Sequence, residues 1–173
     1  YDLGDKHALT ASKFFGGTEQ TYSKKILGYE CPERFVGKTL RHAYHLDIGK
    51  HEAMINVNTD ARKYKIPITI SEYRAGKCLE ILANDTPKIK TVFHSSIQEL
   101  LRRDRRIVGT YGASRYFYDE MDTRDLWKGA YSFITQQTVS DKTKHVMSLV
   151  LQNLPHVKIA AEAHDALCFL IPE

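Results

Sequence analysis

The chain has 173 residues, 42% of them hydrophobic, and a formal net charge of +4. That length suits one domain or a large piece of one, and the mild basic balance is compatible with a polyanionic partner without requiring one. No long apolar run or signal-peptide pattern is present, so no membrane span is expected. The cysteines Cys31, Cys78 and Cys168 are odd in number and far apart, which gives neither a disulfide framework nor a zinc spacing. Mostly buried free thiols in a reducing compartment are expected.

In chain order, Asp5 is placed to cap a helix through His7–Ala11, stopped by Gly16-Gly17. A polar stretch from Thr18 to Lys25 follows. Pro32 sits at a first helical position with Glu33 in the first turn, and opens a helix whose Phe35, Val36, Leu40 and Ala43 are apolar. Gly37 weakens that helix by about 1 kcal/mol relative to Ala and permits close approach of a ligand or another strand. Glu52–Tyr64 reads as helix, Pro67 interrupts, and Ser71 caps a helix ending near Asn84-Asp85. Pro87 starts another, with Ile89, Val92, Phe93, Ile97, Leu100 and Leu101 at helical spacing. Its end carries the cluster Arg102, Arg103, Arg105 and Arg106.

Aromatic and β-branched runs around Gly112 predict a hairpin over residues 106–118. Residues 130–138 read as a polar loop, and Thr138-Val139-Ser140-Asp141 as a capping box with Asp in place of Glu, opening a helix that Pro155 ends. Val157 to Ala163 alternates with a period of two, and Leu167 to Ile171 is nearly all apolar, so a second hairpin is expected around His164-Asp165. The run ends at Glu173 and the chain starts at Tyr1, from which we expect an internal fragment or one piece of a split protein.

Three features carry chemistry. Arg34, Lys38 and His42 recur every four residues, so they drift only about 80° around a helix while climbing about 12 Å. This stripe suits an elongated polyanion with a flat end, such as a nucleoside triphosphate; the alternative is a solvated basic face. His-Asp is a poor turn sequence, yet a carboxylate at the tip of a two-stranded ribbon is well placed to hold a metal; an incidental surface turn is the alternative. Gln136 and Gln137 are either surface amides or readers of a duplex groove.

Taken in order, Asp5-x-His7, Arg34-x-x-x-Lys38 with Gly37 and His42-Ala43, Gly112-x-x-Arg115, Gln136-x-Thr138-x-x-Asp141 and His164-Asp165 resemble the family A DNA polymerases, the bacterial DNA polymerase I-like group, and more closely their phage branch. The resemblance implies an α+β fragment of a right-hand polymerase, with fingers-like helices over about 7–105 and a hairpin, a helix and the palm hairpin over about 106–173. It implies that Arg34 and Lys38 grip the incoming triphosphate, that Lys38 protonates the leaving pyrophosphate, and that His42 stacks near the nucleotide. Arg115, Lys128, Gln136, Thr138 and His164 would contact DNA, and Asp165 would bind catalytic Mg2+.

The chain departs from the family at several positions. Leu46 replaces a Tyr, Gln137 a Gly, Ser132 an Asn and Lys128 an Arg, and Ala166 stands where an acid is common. The upstream Asp-Tyr-Ser-like palm strand is missing, and a two-metal site needs carboxylates from two strands. The implied partners are primer–template DNA, dNTPs and a companion chain supplying that Asp, in the cytoplasm of a bacterial or phage-infected cell. A non-catalytic nucleic-acid-binding module or polymerase remnant is the alternative, and a phosphohydrolase using Asp165 with nearby histidines is a third.

Overall fold

The computed structural model describes residues 4–118, 124–163 and 166–171. It is α+β, with helices and two antiparallel hairpins, and divides into two compact units, Tyr1–Ser95 and Ser96–Glu173.

In the first unit, α1 (Lys6–Phe15) starts where the Asp5 carboxylate accepts hydrogen bonds from the His7 and Ala8 N–H groups, both at 3.1 Å. It ends at Gly16, whose positive φ of 81° suits a residue without Cβ. The Thr18–Lys25 stretch forms two short helices, α2 (Glu19–Tyr22) and α3 (Lys24–Leu27), the latter closed by Gly28 in the left-handed region. Next come α4 (Pro32–His45), with Pro32 in the first turn, α5 (Lys50–Lys63), and α6 (Glu72–Asp85), capped by the Ser71 hydroxyl on Arg74 N–H.

Helix α4 is the hub, packing on α1, α5 and α6. Its Phe35, Val36, Leu40, Ala43 and Tyr44 join Phe14, Val57, Ala75 and Leu82 in one apolar core. Gly37 serves neither a ligand nor a strand in this crossing. A Cβ there would lie 2.9 Å from the His7 carbonyl and 3.1 Å from the Ala11 nitrogen, so it admits the backbone of α1. Ala8 and Ala11 of α1 are fully buried on the same side. Asn58 of α5 braces the α5–α6 connection by pairing with both backbone groups of Ile70, at 2.9 and 3.0 Å.

Between the units the chain does not break near residue 105. A π-helical segment, Ile89–His94, leads into α7 (Ser95–Asp104). Helix α7 belongs with the second unit because Ile97 and Leu101 are buried and Gln98 donates to the Tyr131 hydroxyl at 2.6 Å. The expected hairpin forms as β1 (Arg106–Val108) and β2 (Ser114–Tyr116), with Ile107 opposite Arg115.

The loop over 130–138 and the capping box at Thr138 do not exist. One helix, α8 (Arg124–Asn153), runs through both. The Thr138 hydroxyl that suggested a cap bonds back along the helix instead, as do those of two other threonines. Thr135 donates to Ser132 O, Thr138 to Ile134 O, and Thr143 to Val139 O, at 2.7–3.1 Å. Asp141 accepts from Gln137 Nε2 one turn earlier, at 2.8 Å. Ser and Thr hydroxyls serve either role, and residues 130–153 contain no Gly or Pro to stop the helix. Although long, α8 is not apolar enough to cross a membrane, and neither is any other described helix.

The final ribbon is β3 (Lys158–Ala163) against β4 (Ala166–Leu170). A register shift between Ile159 and Ala161 breaks the expected alternation. Phe169, Leu170 and Ile171 are exposed, as are Leu149 and Leu151 of α8 and Leu154 just after it. Cys31 and Cys78 are buried and Cys168 is exposed, in line with the expectation of mostly buried free thiols. Burial pushes the Cys78 thiol up to about 11, so it is unreactive.

The Gly37 crossing fixes the sign of one substitution. Gly37→Ala would gain about 1 kcal/mol of helix propensity on an open face; here overpacking against α1 should outweigh it, lowering stability in urea unfolding by about 1–3 kcal/mol. A gain in stability would mean that α1 does not press on Gly37.

Candidate nucleotide and nucleic-acid site

Two segments far apart in sequence meet at the start of α1 and α4. One Asp5 oxygen caps α1; the other accepts from Arg34 Nε at 2.8 Å. Arg34 Nη1 donates to both Glu30 oxygens, at 2.5 and 2.6 Å. The Arg34 side chain is only 13% exposed, and two carboxylates therefore answer one guanidinium. Burial raises the Asp5 carboxyl, but Arg34 and the Ala8 and His7 N–H groups outweigh it and hold the group below the usual carboxylate range. Burial likewise works against the Arg34 charge, and the bonds to Asp5 and Glu30 more than offset it.

The four-residue ladder is therefore split. Arg34 is paired, whereas Lys38 and His42 are exposed on α4. Arg41, next to His42 in sequence, donates to the Thr10 hydroxyl at 2.8 Å and ties α4 to α1 a second time. Burial lowers the His7 pKa, helped by Arg34, Lys38 and Arg41 and opposed by Asp5. Its Nδ1 is buried without a hydrogen-bond partner among the described residues. Burial also lowers His45, with Arg41, His42 and His94 adding to it.

In the second unit, Arg115 is exposed on β2 and its guanidinium carbon lies 4.6 Å from the buried Phe117 ring centre. Lys128 is on α8, 3.9 Å from Asp125. Gln136 is exposed, while Thr138 is half-buried and its hydroxyl lies 3.2 Å from that of Thr110 in the hairpin loop. Residues two apart on a helix point about 200° apart, so Gln136 and Thr138 do not share one face. Gln137 fits against Gly109, where a Cβ would come within 3.1 Å of its Cγ. His164 and Asp165 lie outside the described residues; Ala163 and Ala166, which flank them, are paired.

Among the described residues no three His, Cys, Asp or Glu side chains gather as metal ligands. Compared with known proteins, the chain matches no family model, and no curated protein matches it. What the site can do must therefore be read from its own side chains.

Two arrangements are not apparent from the sequence. Glu30 precedes Arg34 by four residues, a spacing that signals an ion pair if the turn before Pro32 is helix-like. The second is a groove of about 750 Å³ beside α4, lined by Tyr29, Phe35, Lys38, Tyr64 and Lys65 among others. Its tyrosines are isolated in the sequence and come together only through the α4–α5 packing.

The two depressed histidines have a consequence for pH. Their folded pKa values lie below the unfolded value of 6.5, so the unfolded chain binds more protons as pH falls through that range. Stability present above about pH 6.5 should decline as pH drops from about 7 to 5. Thermal melts should show a smaller decline for the His7→Gln/His45→Gln variant; an equal slope in both proteins would exclude these groups as the cause.

Proposed function

We propose that this chain is the fingers and part of the palm of a family A-like DNA polymerase, holding a dNTP and primer–template DNA. The observation that supports it best is the meeting of Asp5, from the Asp-x-His segment, with Arg34, from the ladder. These segments are 29 residues apart in sequence, yet Asp5 Oδ2 and Arg34 Nε are 2.8 Å apart. The same crossing leaves Lys38 and His42 on the solvent side of α4, one turn apart, as a cation and a flat ring.

In this reading Lys38 neutralises the phosphates and gives a proton to the departing pyrophosphate, and His42 stacks beside the nucleotide. Arg34 joins only after releasing Glu30, because its guanidinium is already answered by two carboxylates. Arg115, Lys128 and Gln136 face the DNA. Mg2+ would supply charge stabilisation on the reacting phosphates, held by Asp165 and by a carboxylate from a companion segment.

A second reading, a nucleic-acid-binding module without catalysis, is favoured by the first hairpin. Tyr116 and Tyr118 stack at 5.1 Å, Arg106 lies 5.4 Å from the Tyr116 ring centre, and both tyrosines are exposed. Such a column suits bases and phosphates whether or not chemistry follows.

Titration of Mg2+–dNTP, followed by calorimetry, separates the two. The polymerase reading expects weak binding that falls at least tenfold in Lys38→Ala and tightens severalfold in Glu30→Gln, which removes one of the two carboxylates on Arg34. It also expects no primer extension by the 173-residue chain alone. No dNTP binding, with DNA binding retained, would leave the module. Unchanged affinity in Glu30→Gln would assign Arg34 a structural role only.

A further inference from the structure

The groove beside α4 adds two tyrosines and Lys65 that the nucleotide reading does not use. It lies between the first turn of α4 and the connection from α5 to α6, and its volume of about 750 Å³ falls within the range of roughly 300–1,000 Å³ common for ligand sites. Tyr29 and Tyr64 both line it, yet they are 60% and 59% exposed, so large aromatic surface is left facing water. Lys38 and Lys65, both exposed, add two positive charges. The one acid in the lining, Glu30, already binds Arg34 through both oxygens, which leaves the lysines to set the local sign. Lys63 lies 5.2 Å from the Tyr64 ring centre and adds a third cation at that edge.

The backbone at Lys65 points the same way. Lys65 follows the end of α5 with a positive φ of 56°, and the next residue, Ile66, closes the helix by donating to Ala61 O at 2.8 Å. Glycine is the residue that this left-handed position favours. A lysine there holds a strained backbone while placing its side chain in the groove lining.

We propose that this groove binds single-stranded nucleic acid, with Tyr29 and Tyr64 stacking on bases and Lys38 and Lys65 holding the adjoining phosphates. Exposed aromatic faces next to lysines suit unpaired bases, because every base offers a π-face and each phosphate a charge. A duplex hides those faces, so its binding gains nothing from the tyrosines. The groove shares Glu30 and Lys38 with the nucleotide site but does not rest on the polymerase reading. Its test uses Tyr29, Tyr64 and Lys65 for that reason.

The full chain is titrated with a fluorescent 12-mer oligothymidine and with a blunt duplex of equal length, followed by anisotropy. Tyr29→Ala/Tyr64→Ala should weaken oligothymidine binding at least tenfold and duplex binding less than twofold, and Tyr29→Phe/Tyr64→Phe should retain binding. Lys65→Gly relieves the backbone, so it should melt at or above the parent temperature while binding oligothymidine severalfold more weakly. An oligonucleotide carrying 5-iododeoxyuridine should cross-link to Tyr29 or Tyr64. The proposal is overturned if the alanine pair binds within twofold of the parent, if the phenylalanine pair loses as much as the alanine pair, or if Lys65→Gly binds unchanged. Cross-links confined to residues 102–118 would also overturn it, placing the single strand on the arginine hairpin. Lys38→Ala should likewise weaken oligothymidine binding, because Lys38 is one of the two lysines assigned to the phosphates, whereas its dNTP affinity bears on the nucleotide site alone.

Discussion

The close crossing of α1 and α4 at Gly37 is the constraint on which the first unit depends. Backbone meets backbone there, because a Cβ on Gly37 would fall within 2.9 Å of the His7 carbonyl. Ala8 and Ala11 keep the opposite surface small. This contact brings the start of α1 beside the start of α4, and so lets Asp5 reach Arg34. The apolar face of α4 is then free to pack on α5 and α6 through Leu40, Ala43 and Tyr44. Widening the crossing by one methyl group would disturb packing, helix cap and ion pair together, since Asp5 caps α1 and α1 carries the Thr10 hydroxyl that accepts from Arg41.

The crossing also decides which cations face water. Arg34 lies where α1 and the turn before α4 supply carboxylates, and burial strengthens that pairing by excluding competing water. Lys38 and His42, one and two turns later, have left the junction and stand on the solvent side. A row that is uniform in sequence thus becomes one paired charge followed by two accessible groups. The distinction comes from the neighbours each turn meets, not from the helix itself.

Much of the fold was legible in the sequence. Asp5, Pro32 and Ser71 each mark a helix start, Gly16 marks an end, and the aromatic and β-branched runs around Gly112 mark a hairpin, because these are local effects of backbone geometry. The misreading at Thr138 has an equally local cause. A Thr hydroxyl that could cap a new helix can instead bond to the carbonyl four residues earlier in an existing one, and nothing between Ala130 and Asn153 forces the first choice. The site was less legible. The four-residue spacing placed Arg34, Lys38 and His42 on one stripe, but the acids that occupy Arg34 come from outside the helix. The groove beside α4 was invisible for the same reason: Tyr29 and Tyr64 are 35 positions apart and become neighbours in one lining only through packing.

The β3–β4 ribbon bears on how the molecule behaves in concentrated solution. Among the described residues each of its strands has a single neighbour, so both strands are edges. Phe169, Leu170 and Ile171 stand exposed along or just beyond β4. Unpaired backbone donors and acceptors beside apolar side chains form a template for another chain's strand. On β3, the exposed Lys158 and Glu162 oppose such pairing through charge, whereas β4 carries no charged residue. Self-association of this polypeptide would therefore start from β4, and a single charge placed there would do more for its colloidal stability than several placed on the helices.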